Sequence, residues 1–162
     1  MLRPAILYKD ELLNLFSKEL YTEKYYYYTG YAHSHELPNI EARDNYYQWV
    51  IVKKDSDIFP IGYLAYYIDP TTNSVNRFGL YSFDEGNLTV AKDVYDKLVE
   101  LAHEYHRVEW RVIEGNHAKR GYDSFCKKIG GNCVCLHDVT TDLNGNYRNE
   151  YIYEIINEGK YE

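Results

Sequence analysis

Residues 77–113 hold two runs of strand character on either side of one amphipathic helix, and that order leaves few folds open. The first run, "RFGLYSF" at 77–83, is aromatic and ends in the turn "DEGN". Ala91, Val94, Tyr95, Leu98, Leu101, Ala102 and Tyr105 then recur every three or four residues, which predicts a helix over 88–105 with Asn87 as its N-cap. "RVEWRVI" at 107–113 alternates Val108, Trp110 and Val112 against Glu109 and Arg111, the period of a strand. A helix linking two strands directly carries the chain back along the sheet, so the two strands are predicted to run parallel.

The flanking segments add antiparallel structure. "YYQWVIVKK" and "IGYLAYYID", separated by the polar "DSDIFP", read as paired strands, and "DPTTNSVN" turns the chain into the run at 77–83, so residues 46–83 form an antiparallel meander. Leu12, Leu15, Phe16 and Leu20 predict a helix over 9–22. Tyr122, Phe125, Cys126 and Ile129 predict another over 117–129, ended by Gly130 and Gly131. "CVCLHDV" and "YRNEYIYEII" flank Asn144-Gly145, a pair suited to a tight hairpin turn. Residues 23–45 show no clear period, and either a short strand with a loop or a helix fits them.

With 162 residues and 45% hydrophobic content the chain is sized for one α/β domain. A net charge of -7 gives no global attraction to nucleic acid. No run of 18 apolar residues is present and the first residues lack a cleavage pattern, so a cytoplasmic protein that enters no membrane is expected. Cys126, Cys133 and Cys135 are expected as free thiols, the last two packing from one face of a strand. Twenty tyrosines suit a sheet with half-buried faces. His33 and His35 do not pair with the cysteines at a zinc spacing, so no metal is expected.

The order helix, antiparallel strands, strand-turn-helix, strand, helix and hairpin resembles the GNAT superfamily of acyl-CoA-dependent N-acyltransferases over about residues 46–157. The segment "VEWRVIEGNHAKRGYDSFCKKIGG" looks like that family's strand, Asn and final helix ending in Gly. The resemblance implies a mixed, mostly antiparallel sheet flanked by helices, in which 77–83 and 107–114 part at their C-terminal ends and admit the cofactor, acetyl-CoA. It places Tyr81, Ser82, Phe83, Glu85, Gly86, Asn87, Leu88 and Thr89, with Asn116 and Phe125, at that cofactor. The pyrophosphate would sit on turn N–H groups and the positive helix end, chemistry that requires no basic side chain.

This turn departs from the family's pattern. With Gly86 as the central glycine, Phe83 stands where Gln or Arg is usual and Leu88 where Gly or Ala is. Asp84 and Glu85 are expected as partners of the helix dipole that point to solvent. The family's acid, a tyrosine of the last helix, corresponds to Tyr122, or to Cys126 when counted back from Gly130. Glu109 and Glu114 are the glutamates near a base position, which stays unassigned. The implied activity is acetyl transfer from acetyl-CoA to a primary amine, with residues 23–45 setting specificity and the negative charge favouring a cationic acceptor. A homodimer is compatible with the resemblance. The other reading is a GNAT-like binding or interaction module without catalysis.

Overall fold

The computed structural model describes residues 1–29 and 36–161. A seven-stranded sheet is built from β1 (Leu2–Pro4), β2 (Tyr46–Lys53), β3 (Ser56–Asp69), β4 (Ser74–Ser82), β5 (Arg107–Ile113), β6 (Asn132–Thr141) and β7 (Tyr147–Ile156). Their order is β1-β2-β3-β4-β5-β7-β6, and the β4-β5 pair is parallel while every other pair is antiparallel. The helices are α1 (Lys9–Ser17), α2 (Glu23–Thr29), α3 (Leu88–Glu104) and α4 (Lys119–Ile129).

Each sheet face buries its own apolar layer. On one, Val90, Val94, Leu98 and Leu101 of α3 and Tyr122, Phe125 and Cys126 of α4 pack on Ile51, Leu64, Phe78, Val108, Trp110 and Tyr153. On the other, Leu12 and Phe16 of α1 and Tyr25 of α2 pack on Val50, Val52, Tyr63, Ala65 and Tyr81. The alternation along the strands, with Val50 on one face and Ile51 on the other, divides the two cores.

Several expectations are corrected. The helix expected over 9–22 stops at Ser17, where the chain tightens: Glu19 N–H bonds to the Phe16 carbonyl at 2.9 Å. Thr22 then starts α2 by accepting the Tyr25 N–H at 3.3 Å, so of the two readings left open for the tyrosine run the helix is the one adopted. The polar "DSDIFP" is not a turn, since β3 begins at Ser56, and bulges between Ile51 and Lys53 accommodate Pro60. The hairpin loop spans residues 142–146, because Asp142 gathers the N–H groups of Asn144 and Asn146, both at 2.9 Å. Cys133 is exposed, because β6 is the outermost strand and little covers it. The strand Leu2–Pro4 carries no periodic signal in so short a run.

Candidate functional site

The parallel ladder between β4 and β5 is short. Val75 faces Val108 and Phe78 faces Trp110, and beyond that pair β4 continues only along β3 and β5 only along β7. The cause lies at Arg77, a non-glycine residue in the left-handed region with φ 55°. Arg77 and Phe78 together oppose Tyr66, which makes a β-bulge that bends β4 away from its parallel neighbour. The two strands therefore part toward their C-terminal ends, as the family resemblance implied for 77–83 and 107–114.

At the open end, the turn after β4 delivers the chain to α3. Gly86 adopts φ 76°, which permits the turn, and a β-carbon there would meet no atom within 4 Å. Asn87 is the N-cap, its Oδ1 accepting the Thr89 N–H at 2.9 Å, while its amide donates to Asp84 Oδ2 at 2.7 Å. Ala91 N–H bonds to the Asn87 carbonyl at 3.3 Å. Among the described residues, the turn's hydrogen bonds leave the N–H groups of Gly86, Leu88 and Val90 without an acceptor. These donors and the positive end of a 17-residue helix make a place for an anion.

The two acids of this turn take different roles. Asp84 is tied to Asn87 and keeps the cap rigid. Glu85 reaches across the mouth, with Lys24 Nζ of α2 at 3.8 Å and His117 Nδ1 of the β5-α4 loop at 3.9 Å. At 58% side-chain exposure it is held loosely, and such contacts contribute little to stability. Leu88 points outward, 84% exposed, so at that position the turn presents only its backbone.

Other expected residues lie deeper. Tyr81 and Phe83 turn to the α1-α2 face, their rings 5.0 Å from Phe16, and the Tyr81 hydroxyl donates to Glu19 at 2.8 Å. Burial first, and that bond second, pushes the Tyr81 phenol above its ordinary value. The Ser82 hydroxyl donates to the Asp84 carbonyl at 3.0 Å. Asn116 folds the β5-α4 loop by accepting the Ala118 N–H at 2.9 Å. Phe125 is a core residue, edge-on to Tyr95 at 5.2 Å.

Tyr122 and Cys126 part company along α4. Tyr122 lies 5.7 Å from Trp110, the last β5 residue paired with β4, and burial holds its phenol protonated by raising it well above the ordinary value. Cys126 sits one turn farther from the mouth, its thiol donating to the Asn132 carbonyl at 3.4 Å. Burial, then Cys133 and Asp123, push that thiol up, the opposite of nucleophile activation. Glu109 is held by Arg107 at 2.7 Å and by Arg111 at 3.8 Å. Glu114, at the lip of β5, accepts the Asn149 N–H at 3.3 Å.

No protein-family model matches the sequence, and no curated protein does. Solved structures do match. An N-acetyltransferase from Staphylococcus aureus Mu50 superposes with a TM-score of 0.67 at 13% identity, over 96% of this chain and 97% of that one. A ribosomal-protein-alanine N-acetyltransferase from Brucella melitensis gives 0.66 at 16%, over 97% and 99%. A probable acetyltransferase of the GNAT family from Chromobacterium violaceum gives 0.63 at 16%, over 96% and 81%. The chain has the GNAT fold.

Within that GNAT fold, several residues at the mouth escaped sequence reasoning. Arg77 gives no signal, because nothing in "VNRFG" marks a bulge. Lys24 and His117 come from segments that meet only in three dimensions. Gly115 is the exception: it adopts φ 97°, and a glycine two residues past the end of a strand is a readable sign of such a turn. His33 and His35 lie outside the described residues. Among the described residues no group of three potential metal ligands forms, and no helix is long and apolar enough to cross a membrane. A cleft of about 550 Å³ lies away from the parted strands, along the N-terminal half of β2, lined by Pro4, Ile40, Arg43, Tyr46 and Trp49 among others.

Proposed function

We propose that the protein is an N-acetyltransferase that moves the acetyl group of acetyl-CoA to a primary amine. The observation that carries this reading is the parted β4-β5 pair with unused N–H groups at its mouth. When bound, acetyl-CoA supplies an activated acetyl group as a thioester. The chain fits its anionic portion through the Gly86, Leu88 and Val90 N–H groups, and among the described residues no atom lies within 4 Å of a β-carbon placed on Gly86. Tyr122 holds a proton throughout the physiological range and is the acid, in preference to the inward-bonded Cys126. Glu114 is the base, since Glu109 is occupied by two arginines. The net charge of -7 favours a cationic amine as acceptor.

The test is release of free thiol from acetyl-CoA in the presence of a panel of primary amines. Tyr122→Phe, which keeps the ring packing, is expected to lower kcat by about 10²-fold or more while leaving the affinity for acetyl-CoA unchanged. A second reading, a GNAT-like binding module without catalysis, draws support from Glu85 at the mouth and from the Thr89 N–H already used by Asn87. Binding of acetyl-CoA without thiol release for any amine would favour it.

A further inference from the structure

Backbone hydrogen bonds leave β2 alternately on its two sides. The Asn45 carbonyl accepts the Ile68 N–H at 2.8 Å, so Tyr47, Trp49 and Ile51 bond toward β3, while Tyr46, Gln48 and Val50 turn their backbone groups the other way. On that other side β1 fills the first rungs: Met1 and Val52 exchange both bonds, each at 3.0 Å, and Arg3 stands opposite Val50. Farther along, Arg43 bridges Tyr46. The rung at Gln48, between these, has no strand against it. Ala5, which would fill it, has already turned into the 3-10 helix Ala5–Tyr8. Among the described residues no turn or loop group bonds to the Gln48 N–H or carbonyl. The cleft of about 550 Å³ opens at this rung.

We propose that this cleft binds a zwitterionic dipeptide carrying an apolar side chain, at a site separate from the parted strands. The occupant follows from what lines the vacant rung. A ligand residue set opposite Gln48 exchanges two backbone hydrogen bonds with it, as Met1 does with Val52. Arg43 lines the cleft and forms no ion pair among the described residues, so its guanidinium is free for a carboxylate. Glu41 and Asp44, on the same wall, suit an ammonium group. A ligand of one sign only would meet repulsion from one of these two sets, whereas a zwitterion satisfies both. Ile6, apolar yet 47% exposed, and Trp49 give a side chain surface to cover. The filled rungs set the length: between Tyr46, held by Arg43, and Trp49, opposite Pro4, only two positions of β2 are open, so a longer strand would collide at either end. The volume lies within the range of small-ligand sites.

The probe is alanyl-leucine, titrated into the full chain while the Gln48 N–H and the two indole N–H signals are followed by NMR. Saturable shifts are expected at Gln48 and at Trp49, while Trp110, which is 0% exposed, stays in place as an internal reference. Arg43→Gln, at an exposed position, is expected to keep the parent's melting curve and to bind alanyl-leucine about three- to fivefold more weakly. Alanyl-leucine amide, which lacks the carboxylate, is expected to bind the parent and the variant equally. A Gln48 signal that stays fixed up to about 10 mM alanyl-leucine overturns the site. Equal affinity of the parent and Arg43→Gln for alanyl-leucine overturns the assigned carboxylate partner and with it the ligand class. Both results are independent of whether acetyl-CoA binds at the parted strands, since the cleft shares no lining residue with the turn at Gly86.

Discussion

Tyr27 lies across Gly115: a β-carbon built on that glycine would stand 2.6 Å from the tyrosine hydroxyl. The contact fastens α2 to the lip of β5, and the hydroxyl is itself held by Glu23 at 2.9 Å. Gly115→Ala is expected to destabilise the protein by about 1–3 kcal/mol, from the left-handed backbone and the displaced ring together. Adding Tyr27→Ala removes the clash but not the backbone strain. In denaturant unfolding the double variant should therefore lose less than the sum of the two single variants.

Gly86 presents the contrasting case. With no atom within 4 Å of a β-carbon, Gly86→Ala is expected to cost about 1–2 kcal/mol through backbone strain alone. If the Gly86 N–H faces the pyrophosphate, Gly86→Val should weaken acetyl-CoA binding at least tenfold in a chain that still melts cooperatively. Calorimetric titration of the folded variant measures this, and an unchanged dissociation constant would remove the turn from the binding site.

Glu85 bridges both lips of the mouth through Lys24 and His117. If the pyrophosphate lies at this turn, Glu85→Gln removes a carboxylate beside it and frees Lys24, so acetyl-CoA is expected to bind a few-fold more tightly at low salt, with the gain fading as salt rises. Stability should change by less than about 0.5 kcal/mol, because the side chain is largely exposed. Titrations at two ionic strengths, with a denaturation curve for each chain, decide the point. Equal affinities at low salt would place Glu85 clear of the ligand.

The hairpin loop gives a pH signature. The Asn146 N–H and, on the side chain, Arg148 hold the Asp142 carboxyl at about 2, below its ordinary 3.8 and against the opposing effect of burial. A depressed carboxylate contributes stability that is present above the unfolded value and lost as pH falls. The stability difference between the parent and Asp142→Asn should be constant above a pH of about 4 and shrink between about 4 and 2. Urea unfolding of both chains across that interval shows whether it does.

Much of the frame was legible because its signals are local. The stripe from Ala91 to Tyr105, the alternation through Val108, Trp110 and Val112, and the Asn87 cap each reside in one short window, and each takes the form expected. α2 was not legible, because four successive tyrosines have no period; its direction is set by Thr22 capping Tyr25 and by Tyr27 resting on Gly115, far along the chain. The parting of β4 from β5 was expected from resemblance alone. Its physical cause, the left-handed Arg77, is hidden because the residue carries no turn chemistry and the surrounding sheet enforces its conformation. At the site, the turn was readable, while the companions that cross its mouth, Lys24 and His117, depend on tertiary contact.

The central claim is that unused N–H groups at the start of α3 receive the anionic part of acetyl-CoA. A chain of 19.2 kDa is well suited to amide-resolved NMR, and titrating acetyl-CoA while following the Gly86, Leu88 and Val90 N–H signals addresses that claim at the atoms concerned. The account predicts saturable shifts at all three, larger than those of Ala91, whose N–H is already bonded to the Asn87 carbonyl. Signals of Gly86, Leu88 and Val90 that stay fixed up to millimolar acetyl-CoA would contradict it.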